Sequence, residues 1–186
     1  YLVKLKCIDS NYNLQGLPAD EYPVMNEITD AENIEIKQNN LKEMIHKTVF
    51  SVATDDSRPI LKGALIESYD ENLYMVTLDG FRLSLIKIKT VKTGDIKVVV
   101  PGKSLLELSR IIKDDDQTIN IMIGEKQIMI DLGMIRISSK LLKGEFLNYN
   151  AILPSDYETR MKINTSVFKS AVDRAALLAK SINNKH

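Results

Sequence analysis

The chain repeats itself at an offset of 127 residues: Tyr22 recurs as Tyr149, Ile36 as Ile163 and Leu41 as Phe168. Around these anchors, Asn33-Ile34-Glu35-Ile36-Lys37 and a Leu41–Ile45–Val49 stripe match Arg160-Met161-Lys162-Ile163-Asn164 and Phe168–Val172–Ala176. Self-similarity at a fixed period marks an array of equivalent units and argues against one self-contained enzyme fold. The chain is therefore expected to be a window on a longer protein. The end of one unit is assigned to residues 1–27, a complete unit to 28–154 and the start of a third to 155–186.

The complete unit divides again. Asn33–Lys37 reads as a strand, and Asn40 to about Ala53 as a helix with Leu41, Met44, Ile45, Thr48 and Val52 along one face. Phe50 falls on the polar side, where periodicity does not explain it. Ile60–Glu67, Asn72–Thr77 and Phe81–Ile88 are rich in branched and aromatic residues and read as strands. Asp79-Gly80 marks the hairpin between the last two, because glycine accepts the positive φ such turns need. The pattern then restarts: strand Asp95–Val100, helix Gly102–Lys113, and strands Thr118–Ile123, Gln127–Leu132 and Met134–Leu141. Leu41 and Leu105 stand 64 residues apart, about half the longer period. The unit is thus two β-α-β-β-β halves, and the fold class is α+β, with antiparallel sheets outside and paired helices on one face. Ahead of it, Leu2–Ile8 reads as a strand and Asp9–Asp30, with Pro18 and Pro23, as turns; after it come strand Met161–Ile163 and helix Ser166–Lys180.

Formal net charge is zero, which taken alone disfavours nucleic acid, but the charge is segregated. The three helices hold Lys42, Lys47, Lys103, Arg110, Lys113, Lys169, Arg174 and Lys180 against Glu43, Glu107 and Asp173, an excess of five positive charges that the remainder must offset. Electrostatic fields follow faces more than totals, so one basic face is expected. Lys103, Glu107 and Arg110 share one side of the second helix, opposite Leu105, Leu108 and Ile112. The single cysteine, Cys7, allows no internal disulfide and is expected to be a buried small hydrophobe in a reducing cytoplasm. No apolar run approaches a membrane span, and no signal peptide is recognisable.

Three stretches resemble the signatures of the bacterial DNA polymerase III β subunits, the replicative sliding clamps. They are Val76-Thr77-Leu78-Asp79-Gly80-Phe81-Arg82-Leu83, Val98-Val99-Val100-Pro101 ahead of a Leu-Leu-Glu-Leu helix, and Ser138-Ser139-Lys140-Leu141-Leu142-Lys143-Gly144-Glu145-Phe146-Leu147-Asn148-Tyr149. The similarity runs over essentially the whole chain, in order. It implies a DNA-clamp fold and a three-domain chain that dimerises head to tail into a ring around duplex DNA. It also implies a non-catalytic processivity factor that tethers the replicative polymerase.

The resemblance implies two sets of site residues. Inward-facing cations would attract phosphates without reading bases, which leaves sliding unhindered; the candidates are Lys42, Lys47, Arg58, Lys103, Arg110 and Lys113. Pro59 and Ile60 follow Arg58 where the family often has aromatic rings. A hydrophobic pocket for short linear peptides of the polymerase III α subunit, the clamp loader, other polymerases and repair proteins maps to Leu61, Leu78, Gly80, Phe81, Arg82, Leu83, Leu147 and Ile152. Leu78 replaces a more usual Thr and Leu147 a common Pro, so altered peptide preference is expected.

A catalytic reading has little to stand on. The histidines are His46, on a helix, and the terminal His186; no Cys/His metal spacing or glycine-rich phosphate loop occurs, and no cofactor is expected. Asp55-Asp56 and Asp114-Asp115-Asp116 would serve a metal-dependent nuclease, but acidic runs after helices are usually loops and caps. The more serious rival is a peptide-binding scaffold that never encircles DNA.

Overall fold

The computed structural model describes the chain apart from residues 23, 26, 90–95 and 184–186 and the side chains of 180–183. Pro23, Asp95 at the expected start of a strand, His186 and the Lys180 side chain therefore lie outside the described residues. The chain forms two compact units, Tyr1–Phe146 and Leu147–His186.

The first unit opens with a separate hairpin, β1 (Leu2–Cys7) against β2 (Ser10–Gln15). β2 lies within the stretch expected to be turns. Its sequence, Ser-Asn-Tyr-Asn-Leu-Gln, is poor in strand formers; its signal is the two-residue turn left by the Cys7↔Ser10 pairing. Cys7 is exposed, not buried, because neither face of this hairpin meets a core.

The two halves follow. The first is β3 (Glu32–Lys37), α1 (Gln38–Thr48), β4 (Gly63–Tyr69), β5 (Asn72–Leu78) and β6 (Leu83–Lys89). The second is β7 (Lys97–Pro101), α2 (Gly102–Ile111), β8 (Thr118–Ile123), β9 (Gln127–Asp131) and β10 (Arg136–Lys140). Each half gives its first strand to the other half's sheet. The sheets run β10-β9-β8-β3 and β6-β5-β4-β7, antiparallel throughout. This exchange joins the halves through one continuous core. Ile34 and Ile36, the α1 stripe Leu41–Met44–Ile45, the α2 pair Leu105–Leu108, and Ile119, Ile121 and Ile123 of β8 are all buried in it. β8 keeps Thr118, Asn120 and Met122 less buried in alternation with its isoleucines, the period-two signature of a sheet with one packed face.

Helix and strand ends differ from expectation where 3₁₀ turns intervene. α1 stops at Thr48 and passes into a 3₁₀ turn, Val49–Ser51, instead of running to Ala53. Pro59–Lys62 is likewise a 3₁₀ turn, so β4 begins at Gly63 and not at Ile60; proline at its first position suits the turn and cannot serve a central ladder. The connection folds back on α2: at Gly102 an added Cβ would come within 3.0–3.1 Å of Val52 and the Lys62 carbonyl.

In the second unit, Asn164 caps α3 (Thr165–Asn183) by accepting from the amides of Ser166 (3.0 Å) and Val167 (3.3 Å). Residues 161–163 are not a strand, since a strand exists by pairing and these pair with none among the described residues. Ile163 and Phe168, the repeat equivalents of buried Ile36 and Leu41, are each 46% exposed.

Candidate functional site

The expected docking residues of the first unit gather at one end of the β6-β5-β4-β7 sheet. β5 ends at Leu78 where its antiparallel neighbour β4 begins, which places Leu61 beside the β5–β6 turn. Leu61 and Leu78 are buried and Leu83 is half-buried; Gly80, Phe81 and Arg82 are exposed, Phe81 completely. Leu147 and Ile152, the remaining two, belong to the second unit, where both are exposed.

The hairpin loop Asp79–Arg82 is built around its acid. Asp79 Oδ1 accepts from the amides of Phe81 (3.0 Å) and Arg82 (3.1 Å), and Oδ2 accepts from Arg82 Nε at 2.9 Å. The Phe81 amide above all holds the Asp79 carboxyl below the usual carboxylate range; desolvation opposes it, and the hydrogen bonds from the Arg82 side chain and amide add to the lowering. Gly80 takes φ +90°, a conformation that favours glycine. Two hydrogen bonds fasten the end of α1 to this hairpin: Thr77 Oγ1 donates to the Thr48 carbonyl (2.6 Å), and the Ser51 and Ser84 hydroxyls share a bond of 2.7 Å.

That fastening explains Phe50. It sits in the 3₁₀ turn between buried Val49 and Ser51, is 58% exposed, and has the Arg82 guanidinium carbon 5.6 Å from its ring centroid. Sequence reasoning had no role for Phe50; an apolar ring off the helical stripe was the signal available. Phe50 also edges a groove of about 420 Å³ between α1 and α2, lined by Ile45, Val49, Val52, Lys103 and Leu106 among others.

The expected phosphate-binding cations fall into two groups. Lys42 pairs with Asp114 (3.1 Å), Lys47 with Glu43 (2.5 Å) and Arg110 with Glu107 (2.8 Å). Arg58, Lys103 and Lys113 are exposed and make no ion pair among the described residues. The acidic runs are also engaged. Asp116 meets Lys37 and Asn39, Asp115 accepts from the Gln117 amide, Asp56 pairs with Lys62, and Asp55 accepts from Ser57. The Ser57 hydroxyl, then its amide, hold the Asp55 carboxyl low. Among the described residues no helix is long and apolar enough to cross a membrane.

Two β-α-β-β-β halves sharing exchanged strands, helices side by side and a hydrogen-bonded hairpin at a sheet end define a clamp-type domain. Residues 35–148 match the family model for the DNA polymerase III beta subunit, central domain. The beta sliding clamp of Bacillus subtilis (strain 168) is 37% identical over 186 residues, which cover 99% of this chain and 49% of the relative. The crystal structure of the DNA polymerase sliding clamp from Bacillus subtilis superposes with a TM-score of 0.88, covering 96% of this chain and 47% of that one. The DNA polymerase III beta chain of Streptococcus pneumoniae TIGR4, 30% identical, gives 0.83 over 96% of this chain and 48% of its own. The chain belongs to the bacterial β sliding-clamp family, non-catalytic subunits of DNA polymerase III. It spans about half the length of the curated relatives it matches.

Proposed function

We propose that the protein acts as a DNA sliding clamp: a ring around duplex DNA that tethers the replicative polymerase and docks its partners through short peptides. Residues 28–154 form the middle clamp domain on this reading, 1–27 end the first domain and 155–186 begin the third. The ring is a head-to-tail homodimer of the full-length chain, working in the cytoplasm. Exposed cations on the helix side attract phosphates and read no bases, so the ring slides. Lys103, Lys113 and Arg58 carry most of this attraction, and Lys42, Lys47 and Arg110 less, because a neighbouring carboxylate already meets each of the latter. Leu61, Leu78, Gly80, Phe81, Arg82 and Leu83 of the first unit receive peptides of polymerases, the clamp loader and repair proteins, and the family resemblance assigns Leu147 and Ile152 of the second unit to the same role.

The observation that supports this reading best is the exchanged-strand double half with paired helices, matched to solved clamps over nearly the whole chain. The experiment is retention of the full-length protein on nicked circular DNA after loading. Salt-resistant retention on circles, lost on linearisation, is the expected outcome. Equal, salt-sensitive binding to circles and linear DNA makes it an electrostatic binder, and no binding to either leaves the peptide scaffold as the better reading.

A further inference from the structure

Arg82 is held from two sides. Its Nε donates to Asp79 Oδ2, and its guanidinium lies over the Phe50 ring. A guanidinium carries five N–H donors in a planar fork, so the Nη edge is the part that Asp79 does not take. Phe50 reaches this position because α1 ends in a 3₁₀ turn that the Thr77–Thr48 and Ser51–Ser84 hydrogen bonds fasten to β5 and β6. The other hairpin of the unit serves as an internal control. There Arg136 Nε donates to Asp131 Oδ2 at 3.0 Å, yet no aromatic ring is stacked on Arg136 among the described residues. Acid–arginine pairing is therefore common to both hairpins, and the ring belongs to the one with the docking residues.

We infer that Phe50 is a positioning residue of the peptide-docking site. Its ring, with Asp79, fixes the Arg82 fork so that the Nη edge receives a planar oxygen acceptor, carboxylate or amide carbonyl, of a docked peptide. The inference rests on the docking role proposed above for Arg82. An arginine free to rotate loses rotamer entropy on meeting an acceptor, whereas one already held loses little.

The test uses the full-length protein and two pentapeptides with leucine and phenylalanine anchors, identical except for aspartate or alanine at the polar position. The readout is the ratio of their affinities. Wild type is expected to prefer the aspartate peptide, and Phe50→Ala to shrink that preference roughly two- to five-fold, the range of an exposed cation–π contact. Phe50→Tyr, which keeps a ring under the guanidinium, is expected to restore it. A variant that merely folds poorly lowers both affinities together and leaves the ratio unchanged. A wild-type ratio retained in Phe50→Ala overturns the inference and leaves the docking site standing. Equal affinities in wild type overturn the role of the Arg82 fork. Failure of wild type to bind either peptide removes the docking reading itself.

Discussion

The two halves of the clamp unit are built to one plan and finished differently. Their helices start 64 residues apart, at Gln38 and Gly102, but β4 and β8 start only 55 apart, at Gly63 and Thr118. Of the nine-residue difference, one residue is the longer α1 and eight lie after it, in the connection that carries both 3₁₀ turns and Arg58. Their hairpins match more closely. Both have four-residue loops with glycine second, at φ +90° and +85°, and a fully exposed apolar residue third, Phe81 and Met134. Both join an aspartate to an arginine Nε. The core and the turn chemistry are thus shared, while the longer connection gives one half alone Phe50 and the Ser51–Ser84 hydrogen bond. The two halves differ at a surface connection because such connections tolerate insertion far better than core positions do.

The largest expected effect lies in the core that the two halves share. Leu41 and Leu105 are equivalent positions, each about 1% exposed. Truncating either to alanine is expected to cost about 2–5 kcal/mol, from lost burial plus the cavity left behind. The two losses should agree closely if one core serves both halves equally. Denaturant unfolding of Leu41→Ala and Leu105→Ala measures this; a loss confined to one variant shows that the halves are not equivalent supports of the fold.

How much of this could be read beforehand depends on whether the signal is local. The helical stripes and the Asp79-Gly80 turn are carried by neighbouring residues and match the observed elements, and the 64-residue offset matches the spacing of α1 and α2, whereas the 127-residue offset finds its helix in α3 but no strand at 161–163. Strand partnership is not local: alternation in Glu32–Lys37 tells which side chains face inward, but not that β3 joins β8 of the other half. The same limit applies to charge. Lys42 reads as a free helical cation until the fold brings Asp114 to 3.1 Å. Gly80, Phe81 and Arg82 are expected docking residues through family resemblance alone. The placement of Phe50 beside Arg82 has no local signal, because it depends on a helix ending early and on hydrogen bonds to β5 and β6.

A smaller effect sharpens the difference between the helix ends. Thr77 Oγ1 donates to the buried Thr48 carbonyl, and the residue that follows the same path in β9 is an isoleucine, Ile130. Thr77→Val is expected to cost roughly 0.5–1.5 kcal/mol, the usual net worth of such a bond. Hydrogen exchange should localise the loss. The Val52 amide, bonded to the Val49 carbonyl, should exchange faster, while the Ile112 amide, bonded to the Leu108 carbonyl at the end of α2, should not change. Equal loosening at both ends shows that the first half has no separate fastening.

The smallest expected effect distinguishes the helices by charge. Lys42 and Lys47 of α1 both face carboxylates, whereas α2 pairs Arg110 with Glu107 but leaves Lys103 at its start, and Lys113 just beyond its end, without an ion pair among the described residues. A surface pair such as Lys47–Glu43 adds little stability, yet it lowers the potential that a phosphate meets at Lys47. Each phosphate neutralised contributes a slope of about −0.9 to the logarithmic salt dependence of binding duplex DNA. Lys103→Gln in the full-length protein is therefore expected to flatten that slope by up to about 0.9, and Lys47→Gln by clearly less. Salt titration of DNA association for the two variants makes the measurement. Equal changes mean that the Glu43 pair opens on contact with DNA and that the halves present the same charge. An unaltered slope for Lys103→Gln takes that residue off the DNA-facing surface, and the asymmetry between the helices then has another purpose.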